Sequence, residues 1–412
     1  MTLTCYRCGR TANADAGARC ACGEPRWFDT DPTGFEWPER PGQSPGNAGG
    51  PDAGLHRYAD LLPVAPLDGV GSAAGGTPLV RVPRLDEFAG CRCWLKDESE
   101  NPTGSFKDRG SAVGVAAAVA ADDDWVGTVS HGNMATSVAA HAASTDVDCL
   151  VLVPDDIPPG RLGYVAQYDP DVVRVAGDYG RLYYDSLDLP GVRFVNSDTP
   201  YRVAGQKTTV LEICEAFARG SRGGDDAPDA DSGAPDAVAL PVSSGGHASA
   251  AWKGLRELRA AGLLDELPRL YLVQAAACDP IAEADRADAE EVGTTTASET
   301  VAYSIANPDP PSGARALAAV RDTDGAVVSV TDDEIRTAQR RFAVDGGFCV
   351  EPASATTLAG VRRLSADGEL APDDDVVAVA TGTGFRESPA AAAEPRTVAL
   401  DELDDHVRSL VG

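Results

Sequence analysis

From Thr77 onward, short apolar runs alternate with segments of helical length. Pro78-Leu-Val-Arg-Val and Cys93-Trp-Leu-Lys predict strands, as do Trp125-Val-Gly-Thr-Val-Ser, Asp148-Cys-Leu-Val-Leu-Val-Pro and Val172-Val-Arg-Val-Ala. Ala237-Val-Ala-Leu-Pro-Val, Leu270-Tyr-Leu-Val-Gln-Ala and Val376-Val-Ala-Val-Ala extend the series, each ending in a turn. Between them lie Ala-rich helical stretches, one from about Ser111 to Ala121 and one from the His131-Gly132-Asn133 turn to Ser144. Runs that are apolar at every position, not at every second one, belong to strands covered on both faces. An α/β fold with parallel sheets is expected. In such sheets ligands gather at the carboxyl ends of the strands, where several of the Gly/Ser-rich turns fall.

Outside this pattern the chain changes character. Residues 1–26 carry Cys5-x-x-Cys8 and Cys20-x-Cys22, with Gly9 and Gly23 beside the pairs. Two thiolate pairs on tight turns suit a tetrahedral Zn²⁺ site, so a structural zinc ribbon is expected. The other six cysteines are scattered among apolar residues and read as small core side chains of a reduced protein. Residues 31–56 are Gly/Pro/Asp/Glu-rich, which predicts a linker or surface arm. Arg219–Asp236 reads as a disordered acidic loop, and 284–299 as an acidic, Thr-rich embellishment.

Charge narrows the function. Sixty-four acidic residues against 35 Lys and Arg give a net charge of −29, spread along the whole chain. A surface this negative repels nucleic acid and anionic membranes, so neither is an expected partner. The usage resembles that of proteins from salt-loving microbes. The first residues show no basic stretch leading into an apolar one, no run reaches membrane-spanning length, and the expected location is the cytoplasm.

Lysine is scarce: only Lys96, Lys107, Lys207 and Lys253 occur, and arginine is the default cation. Each lysine therefore marks a position where a guanidinium, which does not deprotonate, could be unsuitable. Lys107 lies in Asn101-Pro-Thr-Gly-Ser-Phe-Lys-Asp-Arg-Gly110, where a loop becomes the first turn of a helix. The positive end of the peptide dipoles disfavours an ammonium there, and a neutral amine can attack a carbonyl. Ser243-Ser244-Gly245-Gly246-His247 joins a strand to a helix and forms an anion cradle of free backbone N–H groups. Thr381-Gly-Thr-Gly384 and Gly347–Ala355 are two further turns of this kind.

Together these stretches resemble the fold-type II pyridoxal-phosphate enzymes and, within them, the threonine synthase family. The match runs through Glu98–Gly110, Ser130-His-Gly-Asn133, Asn196-Ser197, Pro200–Lys207, Pro241–Gly254, Val273-Gln-Ala275, Phe348–Ala355 and Thr381–Gly384. The resemblance implies two doubly wound parallel-sheet domains of the tryptophan synthase beta-like kind, behind the small N-terminal ribbon. The large domain would comprise 58–110 and 205–395 and the small one 111–204, with 27–57 an arm and 396–412 a tail. Lys107 would form the Schiff base with pyridoxal 5'-phosphate and shuttle the substrate's α-proton. Asn133 would bond the phenolic oxygen, and Ser243, Ser244, Gly245, Gly246 and His247 the phosphate. Thr381 would meet the pyridine nitrogen, where a hydroxyl supports a full pyridinium less well than a carboxylate would.

The implied reaction converts O-phospho-L-homoserine and water to L-threonine and phosphate. The substrate carboxylate would sit on the Ser130–Asn133 loop, His131 included, and its phosphate near Ser197, Arg202 and Lys207. Met134, His131 and the Ser-Ser-Gly-Gly-His cradle depart from the family's usual residues. A cysteate synthase-like enzyme, a threonine or serine dehydratase, and a non-catalytic adaptor are the competing readings. The resemblance allows a homodimer without fixing the assembly.

Overall fold

A computed structural model describes residues 2–14, 16–38, 54–130, 132–155, 157, 159–177, 179–220, 233–387 and 395–411. Strands β1 (Thr2–Cys5), β2 (Thr11–Asn13) and β3 (Arg26–Phe28) form an antiparallel sheet in the order β2-β1-β3. Gly9 and Gly23, at φ +68° and +89°, turn the two knuckles. The sulfurs of Cys5, Cys8, Cys20 and Cys22 converge there within 4.8 Å of one another.

The ribbon is packed into the body of the protein. Leu3 and Phe28 are buried with Leu55, Ala112 and Val113. Trp27 packs at a tilt against Tyr6 and Trp252, with ring centroids at 5.9 and 5.5 Å. Phe35 belongs to the main core. The expected arm is therefore core-forming over 27–38. Isolated aromatics among Gly and Pro leave no periodic signal, yet each one buries a large area. Residues 39–53 of the arm lie outside the described residues, as do 221–232 of the expected acidic loop.

The remaining strands are β4 (Leu79–Arg81), β5 (Arg92–Asp97), β6 (Trp125–Val129), β7 (Asp148–Pro154), β8 (Asp171–Val175), β9 (Arg193–Phe194), β10 (Ala237–Pro241), β11 (Arg269–Ala275), β12 (Ala326–Val330) and β13 (Asp375–Ala380). They make a six-stranded sheet, β12-β11-β10-β13-β5-β4, and a four-stranded sheet, β8-β7-β6-β9. All pairs are parallel except β4 with β5. Every residue of β10 and β13 is buried; all are apolar except Asp375, which accepts from Trp94 Nε1 at 2.7 Å. Two strands go beyond the apolar runs read from the sequence. β9 is only two residues long, and β12 is an edge strand carrying Ser329. Among the described residues no helix is long and apolar enough to cross a membrane.

A buried charge cluster fixes the Lys107 loop to the larger sheet. Arg109 Nε and Nη2 donate to Glu98 at 2.6 and 2.8 Å, and Nη1 and Nη2 to Glu212 at 2.7 Å each. Lys96 Nζ donates to Glu212 at 2.6 Å and to the Thr77 carbonyl at 2.6 Å. Two cations and two anions cancel, so the cluster itself carries no net charge. Burial alone would raise the Glu212 pKa, but Arg109 and Lys96 hold it well below the ordinary carboxylate range.

A carboxyl depressed on folding stabilises the native state above its unfolded pKa of about 4.3, and that stability fades as pH falls towards the depressed value. Glu212→Ala leaves Lys96 and Arg109 short of an anion and should cost about 3–5 kcal/mol. Urea denaturation at neutral pH checks the loss. A variant as stable as the parent would show that the cluster carries no such coupling.

Candidate active site

A cavity of about 960 Å³ lies at the carboxyl ends of both sheets. The helix Lys107–Ala120 begins at Lys107, whose side chain lines this cavity. The loop before it is shaped by Gly104, at φ +74°, and zipped to the strand end after β13. Phe106 N–H donates to the Thr381 carbonyl at 3.0 Å, and Thr383 N–H to the Gly104 carbonyl at 2.9 Å. On the opposite side Asp108 accepts from Thr103 N–H (2.6 Å), Thr103 Oγ1 (2.8 Å) and Ser137 Oγ (2.5 Å), and His141 Nε2 lies 3.3 Å from it. Ser137 and His141 belong to the helix Asn133–Ala142, so Asp108 ties the lysine loop to the helix that Asn133 begins.

Lys107 has its pKa lowered well below the usual lysine value. Burial is the main cause and the Arg202 guanidinium the second, with Glu351 opposing them. The sequence pointed to helix dipoles; desolvation and a neighbouring cation account for the shift. The amine stands 4.2 Å from the Phe106 ring centroid, and that ring stacks on His247 at 4.3 Å and 21°. Lysine loop and glycine turn are thus one structure, joined face to face.

In the turn, Gly245 has φ +83° and caps the helix Gly246–Ala260. A Cβ on Gly246 would lie 2.2 Å from the Ser197 carbonyl oxygen, and one on Gly245 2.4 Å from that of Ser312. Glycine is required at both places for the turn to nest against these loops. The first N–H groups of the helix have no partner within it, and the turn that carries them lines the cavity. His247 Nε2 contacts Thr209 Oγ1 at 3.2 Å, while its buried Nδ1 has no partner among the described residues. Burial pulls this imidazole down to about 3, so it is neutral.

Ser130, Asn133, Ser197, Arg202, Ser243, Ser244, Gly245, Gly246, His247 and Thr381 all line the same cavity as Lys107. Arg202 is buried among the described residues with no carboxylate in ion-pair range. Its Nη1 rests on the Met134 sulfur. The Gln206 amide, with its oxygen towards the guanidinium, accepts from Nε at 2.9 Å and Nη2 at 3.1 Å. Burial lowers its pKa to about 10, partly offset by Tyr183 and Asp198, and it stays charged. Gly110 makes room for the stem, since a Cβ there would lie 2.5 Å from Arg202 Cγ.

Lys207 is not in the cavity. Its amine pairs with Glu257 Oε2 at 2.5 Å, and Lys253 takes the other oxygen at 2.6 Å. Five positions at about 100° each carry Lys207 roughly 140° around the helix from Arg202, whereas Gln206 falls on the same side. His131 lies outside the described residues. Two cavity features were not assigned from sequence. Glu351 faces Asn133, and Thr294 and Thr295 of the 284–299 stretch lie on the wall. Glu351 was legible only as an ordinary residue preceding a helix-starting proline, and the Thr-rich stretch has no period.

Residues 70–382 match the family described as pyridoxal-phosphate dependent enzyme. The threonine synthase of Methanocaldococcus jannaschii is 35% identical over 363 residues, covering 85% of this chain and 85% of that one. That of Mycobacterium leprae is 35% identical, covering 84% of this chain and 92% of its own. Among solved structures, maize serine racemase superposes with a TM-score of 0.61 at 20% identity, covering 81% of this chain and 92% of that one. Threonine deaminase isoform 2 from Solanum lycopersicum gives 0.62 at 18%, covering 87% and 93%. These two show the fold, that of the fold-type II enzymes. Its parallel sheets, its glycine turn beside Lys107 and its sequence together place the chain in the threonine synthase family of pyridoxal-phosphate-dependent enzymes.

Proposed function

We propose that this enzyme converts O-phospho-L-homoserine and water to L-threonine and phosphate. The observation that carries the reading is Arg202, a buried cation with no carboxylate paired to it among the described residues, lining the same cavity as Ser197 and Lys107. Such a guanidinium suits a dianionic phosphate, to which it offers paired N–H donors.

The residues fit pyridoxal phosphate. The Ser243–His247 turn offers free N–H groups and the unpartnered His247 Nδ1 to a phosphate. Lys107 has the lowered basicity that an amine bonding an aldehyde needs. Asn133 and Thr381 would meet the ring's phenolic oxygen and nitrogen. When bound, the cofactor supplies an electron-withdrawing ring that takes up negative charge developing at the substrate's Cα. Lys107, as a neutral amine, would take the Cα proton and then a Cβ proton, whose electron pair expels the γ-phosphate. Cγ would then gain a proton, the hydroxyl of water would add at Cβ, and Cα would regain its proton. Arg202 and Ser197 would hold the γ-phosphate as it leaves, and the Ser130–Asn133 loop the carboxylate. Elsewhere, Cys5, Cys8, Cys20 and Cys22 would hold one structural Zn²⁺, four thiolates leaving no open position.

Met134 favours a second reading. Its sulfur covers part of the Arg202 guanidinium, which suits a smaller phosphorylated or hydroxylated amino acid. Phosphate release from O-phosphohomoserine and from O-phosphoserine, with 2-oxobutyrate formation from threonine, separates the two. No phosphate from phosphohomoserine excludes the first reading.

Lys107→Ala should lower turnover by about 10²–10⁴-fold or more, measured by phosphate release. Arg202→Ala removes charge-assisted bonds of about 1.5–3 kcal/mol. The specificity constant for phosphohomoserine should fall roughly 10–100-fold, with cofactor absorbance unchanged. An unaltered specificity constant would place the phosphate elsewhere. Cys5→Ser with Cys8→Ser should release zinc and lower the melting temperature because Trp27 packs on Trp252, while cofactor stays bound. Zinc retained in that variant would refute the four-thiolate site.

A further inference from the structure

The N-terminal ribbon reaches the edge of the cavity through one side chain. Arg19 immediately precedes Cys20, on the second cysteine turn. Its backbone pairs with Pro25, and Cys20 N–H donates to the Glu24 carbonyl at 2.8 Å. Arg19 Nε donates to the Gly23 carbonyl at 2.9 Å, which ties the base of the guanidinium to the same turn. The outer nitrogens leave the ribbon. Nη1 donates to Asp198 Oδ2 at 2.5 Å and Nη2 to the Pro311 carbonyl at 3.2 Å. The guanidinium also lies over the Tyr184 ring, 5.4 Å from its centroid. Pro311, Tyr184 and Ser197, the residue before Asp198, line the cavity.

Asp198 needs that partner. Its side chain is wholly buried, and an anion taken out of water is costly unless it is paired. Tyr183 O–H donates to Oδ1, and Oδ2 is left to Arg19. Two further cations stand within electrostatic reach, Arg202 and Arg315. Among the described residues neither forms an ion pair with Asp198. Arg202 rests on Met134 and Gln206, and Arg315 Nη2 donates to Ser312 Oγ at 2.9 Å. The charges are thus divided: Arg19 cancels Asp198, and Arg202 keeps its charge for the cavity. Without Arg19, the carboxylate would draw on the Arg202 guanidinium and repel an anion placed beside Ser197.

We propose that Arg19 is a positioning residue for the substrate: by neutralising Asp198 from the ribbon, it keeps Arg202 available to the substrate's phosphate. This rests on the reading of Arg202 as the cation that meets that phosphate. It gives the ribbon a part in ligand binding besides its packing on the core. Because the effect is one of charge, removing the carboxylate should undo the loss of the guanidinium. A role confined to bracing the ribbon would show no such rescue, since Asn at position 198 does not restore the bonds to Gly23 and Pro311.

Two measurements on the holoenzyme test this: the calorimetric Kd of inorganic phosphate, with the glycine turn filled by the cofactor, and KM and kcat for phosphate release from O-phosphohomoserine. Arg19→Ala should weaken phosphate binding and raise KM roughly tenfold, with kcat, cofactor absorbance and zinc content near wild type. Adding Asp198→Asn should bring Kd and KM back towards wild type. Arg19→Lys, which keeps the charge, should retain most of the affinity, and Arg19→Gln, which does not, should behave as Arg19→Ala. That second pair decides the matter if Arg19→Ala is unstable. Wild-type values in Arg19→Ala or Arg19→Gln overturn the proposal and leave the substrate reading intact, and so does a loss that Asp198→Asn fails to rescue. If phosphate binding depends on Arg19 in this way but phosphohomoserine is not turned over, the proposal stands for the anion site and the substrate reading alone fails. A holoenzyme that neither binds phosphate nor releases it from phosphohomoserine removes the reading of Arg202, and this proposal with it.

Discussion

Four charges buried together, Lys96, Glu98, Arg109 and Glu212, hold the loop that presents Lys107. Taking ions out of water is costly, and their attraction repays that cost only with close geometry and full hydrogen bonding. Here the cation N–H groups reach carboxylates at 2.6–2.8 Å, and Thr77 Oγ1 adds a donor to Glu98 at 2.7 Å. A cluster of this kind is less a source of stability than a means of specifying one loop conformation. Replacing one member leaves another uncompensated, so the Lys107 loop has one arrangement available to it.

From that anchor the rest of the site follows by contact. Asp108 reaches across to the helix begun by Asn133, and Phe106 lies against His247 at the glycine turn. One heptapeptide, Thr103–Arg109, therefore touches the residues that follow β5, β10 and β13 and the helix that follows β6. The cavity is formed where they converge. Its cation, Arg202, is admitted because Gly110 lacks a side chain at the point where the arginine stem passes. The lowered basicity of Lys107 is a result of the same crowding: protein atoms surround the half-buried amine, and a guanidinium stands nearby.

Much of this could be read from the residues. Unbroken apolar runs such as Val376–Ala380 identify strands because burial on both faces leaves no room for polar alternation. Lys107 and the Ser243–His247 turn carry local signals, a scarce lysine and glycines at a strand end, whereas Asn133 and Arg202 were expected only from the resemblance; all line one cavity. Lys207 misled because basicity was counted without helical phase; its partner, Glu257, is far away in sequence. Trp27 and Phe35 gave no pattern because single aromatics pack through tertiary contacts. Glu351 was invisible for a related reason. Its significance lies in what it touches, Asn133 and Thr381, which are 218 and 30 residues away.

The most direct measurement is to reduce the protein with borohydride after adding pyridoxal phosphate and to map the modified peptide. A phosphopyridoxyl group on Lys107 alone is the predicted result. The same group on Lys96, Lys207 or Lys253, or on none of the four lysines, would contradict it.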